Sequence, residues 1–210
     1  GIPVRASLFH PNNRIEAARR LGLDPNRRTI LAIGGSQGAR SINEVIAALV
    51  TRRALPDGWQ VLHVSGERDY AYMQAEERTP FADNRVVLVP YLREMADAYA
   101  LADVVISRAG ASTLGEFAAL GIASVLIPYP FAADDHQLRN AQAFESAGAS
   151  VVIEDRDLNA DKLWWALHSI MDPEHLTAMR KAARSLAERD PVVTILARID
   201  ALASRKNAPA

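Results

Sequence analysis

Thr29-Ile30-Leu31-Ala32-Ile33-Gly34-Gly35-Ser36-Gln37-Gly38-Ala39-Arg40 is the stretch whose reading decides the fold. The unbroken apolar run from Ile30 to Ile33 is what a strand buried on both faces of a parallel sheet requires. Glycines follow at once, and from Ser41 to Arg53 apolar residues recur at Ile42, Val45, Ile46 and Leu49, the spacing of one helical face. The reading is strand, glycine turn, helix. Glycines at such a junction let the backbone approach a ligand, and the free N–H groups of a helix start attract negative charge, so a diphosphate suits the loop. A tight turn that merely needs glycine accounts for the same residues as well. The segment has neither the Gly-Lys-Ser/Thr of a P-loop nor the spacing of a Gly-x-Gly-x-x-Gly fingerprint.

Working outward, the unit recurs. Trp59 to Val64 reads as a strand and Tyr70 to Arg78 as a helix; Arg85 to Val89 is a strand followed by a helix from Glu94 to Leu101. Val104 to Ile106 leads to a helix from Thr113 to Leu120, Ala123 to Ile127 to one from His136 to Ala147, and Ser150 to Ile153 closes the series. Strands alternating with helices predict an α/β fold: a Rossmann-like parallel six-stranded sheet with helices on both faces and ligands at the carboxyl ends of its strands. C-terminal helices are expected at Ala160 to Met171, at Pro173 to Glu188 with Pro173 in the first turn, and at Val192 to Leu202. One domain over residues 1–203 is expected, with 204–210 a disordered tail.

Composition narrows the partners. The 210 residues are 49% apolar and 23% charged, ordinary globular usage, and the formal net charge is -1. No global charge favours nucleic acid or anionic lipid, so any anion site is local and no nucleic acid is expected. The absence of cysteine excludes disulfides and thiolate ligands and fits a reducing compartment, with the cytoplasm as the expected location. No apolar run approaches the roughly 20 residues of a spanning helix. Gly1-Ile2-Pro3-Val4-Arg5 has neither a signal-peptide core nor an initiator methionine, so the chain reads as cut, with a preceding domain expected beyond it.

Two further junctions carry candidate chemistry. In Ser107-Arg108-Ala109-Gly110-Ala111-Ser112-Thr113-Leu114-Gly115-Glu116, Ser112 is the expected N-cap and the small residues leave room for a ligand. Glu116, about one turn into the helix, reaches a hydroxyl-rich partner such as a ribose or is a capping or solvent-facing carboxylate. Arg108 is either a phosphate partner or a surface ion pair. In Asp134-Asp135-His136-Gln137-Leu138-Arg139-Asn140, Gln137 and Asn140 share a helical face, and their amides both donate and accept, which suits sugar hydroxyls. Asp135 is expected as the N-cap there. Two adjacent acids and one histidine lack further ligands at supporting spacing, so no metal is expected. His63, alternating with apolar neighbours, reads as a structural histidine, and Trp164 and Trp165 as helix packing. No triad or nucleophile elbow is visible.

Taken in order, Gly1 to Arg5, Gly34 to Arg40, Ala102 to Thr113, and Asp134 to Gln137 with Asn140-Ala141 closely resemble the C-terminal, donor-binding domain of the MurG family, the MurG-type UDP-N-acetylglucosamine:lipid I N-acetylglucosaminyltransferases of glycosyltransferase family 28. Nearly the whole chain is covered. Gly115 before Glu116, and Ala123-Ser124 in place of a common Pro-Ala, depart from the pattern without removing a contact. The resemblance implies one half of a GT-B fold belonging to an inverting enzyme that needs no metal or cofactor. That enzyme transfers N-acetylglucosamine to lipid I, making lipid II for peptidoglycan and so serving cell shape and division. It implies that Ser36 and the neighbouring backbone N–H groups of Gln37 and Gly38 meet the diphosphate, helped by Arg5 and the Ala111, Ser112 and Thr113 turn. Glu116 would hold the ribose, the backbone near Leu92 would read uracil, and His136, Gln137 and Asn140 would lie by the sugar. No catalytic residue is expected in this chain. The acceptor lipid I, the general base and the membrane contact belong to an absent N-terminal half, and the full-length enzyme would sit on the inner face of the cytoplasmic membrane. Rival readings are a donor-binding subunit with a separate acceptor partner, another UDP-sugar GT-B transferase such as a lipid galactosyltransferase, and a UDP-N-acetylglucosamine 2-epimerase.

Overall fold

The computed structural model describes residues 3–9, 13–35, 38–52, 55–75, 85–187 and 191–206. Within them six strands form one parallel sheet: β1 (Arg28–Ile33), β2 (Trp59–Val64), β3 (Val86–Val89), β4 (Ala102–Ser107), β5 (Ser124–Leu126) and β6 (Ser150–Val152). Their order is β3-β2-β1-β4-β5-β6. The chain winds outward from β1 to β3, returns to the centre and winds out the other way from β4. The reversal leaves a crevice above the carboxyl ends of β1 and β4, where open α/β sheets take their ligands.

The helices are α1 (Arg14–Leu21), α2 (Arg40–Arg52), α3 (Glu67–Ala75), α4 (Met95–Leu101), α5 (Ala111–Leu120), α6 (His136–Ser146), α7 (Ala160–Ile170), α8 (Pro173–Ser185) and α9 (Pro191–Lys206). Alternate strand residues feed two cores. Ile30, Ala32, Val104, Ile106 and Val125 cluster with Ile42, Ile46 and Leu49 of α2 and Leu163, Leu167 and Ile170 of α7. Leu31, Ile33, Val105 and Leu126 cluster with Ala17 and Ala18 of α1, Leu114 and Phe117 of α5 and Phe144 of α6. With both faces covered, neither set of alternate residues is left facing water, which is why the central strands β1 and β4 read as nearly continuous apolar runs.

At the end of the sheet opposite the crevice, Asp103 acts as a staple. Its Oδ2 accepts from the Thr29 N–H at 2.8 Å and from Arg14 Nη2 at 3.1 Å, and its Oδ1 lies 3.4 Å from Arg180 Nη2. One carboxylate thus ties α1, β1, β4 and α8.

Several boundaries differ from expectation. The helix α1 lies in a stretch where no element was expected; its signals are Asn13, whose side chain accepts from the Glu16 N–H, and the left-handed Gly22 beyond its end. The residue in the capping position of α5 is Gly110, so Ser112 lies inside the first turn and is not the cap. Pro173 opens α8 as expected, with Asp172 accepting from the N–H groups of Glu174 and His175. The last helix continues to Lys206, past the expected start of the tail at 204. Among the described residues no helix is long and apolar enough to cross a membrane.

Candidate functional site

Three strand-to-helix junctions converge on the crevice, which has a volume of about 640 Å³. Its walls include Gly34, Gly35 and Gly38 from the first junction, Arg108, Gly110 and Thr113 from the second, and Tyr129, Phe131 and Gln137 from the third. The backbone demands glycine at two of these positions. A Cβ at Gly34 would overlap the Ala39 backbone nitrogen, and Gly38 has φ +76° with the Ser65 carbonyl where its Cβ would stand. The tight turn delivers the chain into α2, whose amino end opens on the crevice with its first N–H groups unpaired within the helix. The amino end of α5 does the same at Ala111 to Thr113. Two helix starts aimed at one space favour an anion between them.

Beneath the first junction lies a buried polar chain. The His63 imidazole meets Asn43 Oδ1 through Nε2 at 2.8 Å, and Asn43 Nδ2 donates to the Ser65 carbonyl at 2.9 Å and to Asp69 Oδ2 at 3.1 Å. Burial holds the His63 pKa down to about 4, so the ring is neutral at pH 7. The structural reading of His63 stands. Asn43 holds the Ser65 carbonyl, and that carbonyl in turn abuts Gly38, so the polar chain fixes the floor of the glycine loop.

Arg108 is neither exposed nor free. Its side chain is 13% exposed; Nη1 pairs with Asp155 Oδ1 at 2.5 Å and donates to the Ile127 and Pro128 carbonyls, while Nη2 donates to Ser41 Oγ. It is thus not a surface ion pair but a tie between the crevice, the start of α2 and the residues after β6. Asp155 and Ser41 were not singled out in the sequence, since nothing in their local patterns points to a partner 47 or 67 residues away.

Glu116 follows Thr113 by three positions, so the two share a face of α5. Its Oε1 takes Arg5 Nη2 at 3.1 Å and its Oε2 takes the Tyr99 hydroxyl at 2.8 Å. The carboxylate is neither a helix cap nor simply solvated. Tyr99 is buried, with its ring edge-on to Phe117, and burial followed by the Glu116 charge pushes its hydroxyl pKa upward. The structure therefore brings together Arg5 and Glu116, which were assigned to diphosphate and ribose separately.

At the third junction Gln137 Oε1 accepts from the N–H groups of both Ala109 and Tyr129 at 3.1 Å, and Asn140 Nδ2 donates to the Ala109 carbonyl. The shared face was read correctly, but these atoms bind backbone and lace the second junction to the third. Asp135 occupies the position before α6 without a side-chain capping bond; it and Asp134 have φ of +51° and +50°. His136 is exposed, with Nδ1 2.7 Å from the Ala133 carbonyl. Ala111 and Ser112 are exposed on the first turn of α5, and Leu92 is half-buried against the second core. Ser36 and Gln37 lie outside the described residues. Among the described residues no cluster of three or more His, Asp or Glu is arranged to hold a metal ion.

Comparison with known proteins agrees with this geometry. Residues 29–194 match the glycosyltransferase family 28 C-terminal domain. The UDP-N-acetylglucosamine--N-acetylmuramyl-(pentapeptide) pyrophosphoryl-undecaprenol N-acetylglucosamine transferase of Desulforudis audaxviator is 38% identical over 98% of this chain and 56% of its own length. The enzyme of the same name from Thermodesulfovibrio yellowstonii is 40% identical over 87% of this chain and 50% of its own length. The chain thus spans about half the length of these curated relatives. A crystal structure of Acinetobacter baumannii MurG superposes with a TM-score of 0.76 at 29% identity, covering 92% of this chain and 54% of that one. An S. aureus MnaA–UDP structure, 12% identical with a TM-score of 0.66 over 95% of this chain and 51% of its own, shares the fold. With its doubly wound sheet, its glycine-lined crevice and a family match over most of its length, this chain belongs to the glycosyltransferase family 28 C-terminal domain family.

Proposed function

We propose that this chain binds UDP-N-acetylglucosamine as the donor half of an inverting glycosyltransferase that converts lipid I to lipid II at the inner face of the cytoplasmic membrane. The observation that carries the reading is the crevice between the amino ends of α2 and α5, lined by glycine backbone on one side and by Thr113 and Gln137 on the other. The diphosphate lies between the two helix starts, with Ser36, Gln37, Gly38, Ala111, Ser112 and Thr113 supplying donors. Arg108 adds positive charge from the side. Donors fixed on the leaving diphosphate gain strength as the glycosidic bond breaks and charge grows there, so leaving-group stabilisation needs no bound metal.

A carboxylate has about four acceptor positions, and Glu116 uses one on Arg5 and one on Tyr99. The remaining two face the ribose hydroxyls, while Arg5, exposed and on the N-terminal segment, turns toward the diphosphate. The backbone near Leu92 reads uracil, and His136 and the Gln137 amide N–H groups, with Asn140 behind, lie by the sugar. Lipid I, the general base and the membrane contact belong to the part of the enzyme beyond this half.

Calorimetric titration with UDP-N-acetylglucosamine, UDP-galactose and UDP, without added metal, tests the reading. Tightest binding of UDP-N-acetylglucosamine is expected, and Glu116→Ala is expected to weaken UDP by about tenfold, the value of a hydrogen bond to a charged group. Unchanged UDP affinity in Glu116→Ala removes the ribose role. The donor reading itself fails if neither this chain nor one extended to the length of its relatives binds a uridine nucleotide.

A further inference from the structure

Between β5 and α6 the chain makes a tight turn from Tyr129 to Ala132, closed by the Ala132 N–H on the Tyr129 carbonyl at 3.3 Å. Pro130 occupies the second position of that turn, where its fixed φ is favoured, and Phe131 sits at the tip. Its base is firmly held: the Tyr129 N–H donates to Gln137 Oε1, and the Arg108 guanidinium lies 5.6 Å from the Tyr129 ring. The return is built as well, with the Asp135 N–H on the Ala132 carbonyl and two successive left-handed residues, Asp134 and Asp135. Two such residues in succession are uncommon outside glycine, although asparagine and aspartate tolerate the conformation.

This built turn leaves an aromatic ring in water. Phe131 is 81% exposed, the most exposed large apolar residue described, and among the described residues its ring meets the edge of Tyr129 at 5.7 Å between centroids. Yet Phe131 lines the same crevice as Gly34, Gly38 and Thr113. The crevice is therefore divided by chemistry. Backbone N–H groups and Arg108 occupy the side of the two helix starts, and the aromatic turn stands over the start of α6. A pocket that binds a nucleoside diphosphate hexose needs this division, because the hexose combines hydroxyls with apolar C–H faces that pack on aromatic rings.

We propose that Phe131, held at the tip of the Tyr129–Ala132 turn, is a specificity-determining residue of the donor pocket that packs on the apolar face of the hexose. The inference rests on the donor reading and extends it. Its ring contacts the sugar and not the nucleotide, so it separates affinity for the nucleotide sugar from affinity for the nucleotide.

The test is calorimetric titration of the parent chain, Phe131→Ala and Phe131→Trp with UDP-N-acetylglucosamine and with UDP. An exposed residue is replaced, so the melting temperature is expected to stay within about a degree or two. Phe131→Ala is expected to weaken UDP-N-acetylglucosamine about five- to tenfold, the range of an aromatic packing contact, with UDP unchanged and Phe131→Trp restoring the difference. Equal affinities of parent and Phe131→Ala for UDP-N-acetylglucosamine overturn the inference while leaving the donor reading intact. Parallel losses for both ligands also overturn it, since they place the ring on the nucleotide or in the support of the pocket. Failure of both the parent chain and one extended to the length of its relatives to bind either ligand removes the donor reading and this inference with it.

Discussion

Beneath the β1–α2 junction the support is a buried polar chain, His63 to Asn43 to Asp69, whereas the β4–α5 junction is held by charges reaching from far along the sequence, Asp155 onto Arg108 and Arg5 onto Glu116. The first wall of the crevice is built from neighbours 20 and 26 residues apart, all inside one strand-helix-strand-helix unit. The second draws on partners 47 and 111 residues away. The difference separates two tasks. A wall fixed from below keeps the backbone N–H groups in place before any ligand arrives, while a wall closed by exposed Arg5 can exchange one partner for another.

The largest effect is expected from Gly38→Ala. It must hold a left-handed φ and place a methyl group against the Ser65 carbonyl, a combined cost of about 3 to 4 kcal/mol. Urea denaturation is expected to show that loss, with UDP binding abolished in the folded fraction; retained affinity would mean that the first wall adapts as readily as the second.

Next is the response to acid. The His63 pKa is depressed in the folded protein to about 4 by burial, so the unfolded chain takes up its proton first. Its contribution is complete above the unfolded value near pH 6.5 and is lost as pH falls toward about 4, roughly 3 kcal/mol across that window. His63→Gln, which removes the titration, is expected to flatten the fall in unfolding free energy between pH 6.5 and 4. An equal slope in the variant would transfer the acid sensitivity to other groups.

The smallest effect belongs to Tyr99→Phe, which removes one hydroxyl from the second wall. The ring keeps its place against Phe117 while Glu116 Oε2 loses its donor, a stability loss of about 1 kcal/mol. The more informative readout is ligand choice: UDP is expected to weaken about threefold and inorganic diphosphate not at all, because the hydroxyl positions Glu116, the carboxylate proposed for the ribose. Equal weakening of both would assign Tyr99 to the whole wall.

The contrast also explains what could be read beforehand. The six strands were legible because a sheet buried on both faces writes its core as consecutive apolar residues, as in Ile30 to Ile33 and Val104 to Ile106. The glycine loop was legible because only glycine tolerates the positions of Gly34 and Gly38. The helix α1 was passed over because it is short and half its residues are charged, with alanines, Ala17 and Ala18, as its buried side chains; Asn13 and Gly22 were the available markers. The cap of α5 was misplaced because Ser112 and Thr113 both have the chemistry of a cap, and the choice fell to Gly110 through backbone geometry alone. The partners of Arg108 and Glu116 were invisible for a different reason. An aspartate at 155 and a tyrosine at 99 look ordinary in their own neighbourhoods, and only the folded sheet brings them within 3 Å of their targets.

The Asp103 staple leads to a practical point about altering this protein. Holding four elements together at the closed pole, it bonds to Arg14, Thr29 and Arg180, none of which lines the crevice. Foundation and workshop are at opposite ends of the same strands. A library that varies Tyr129 to Asp135 to change what the crevice binds can therefore leave Arg14, Thr29, Asp103 and Arg180 untouched, so that most members remain folded and the screen reports on recognition.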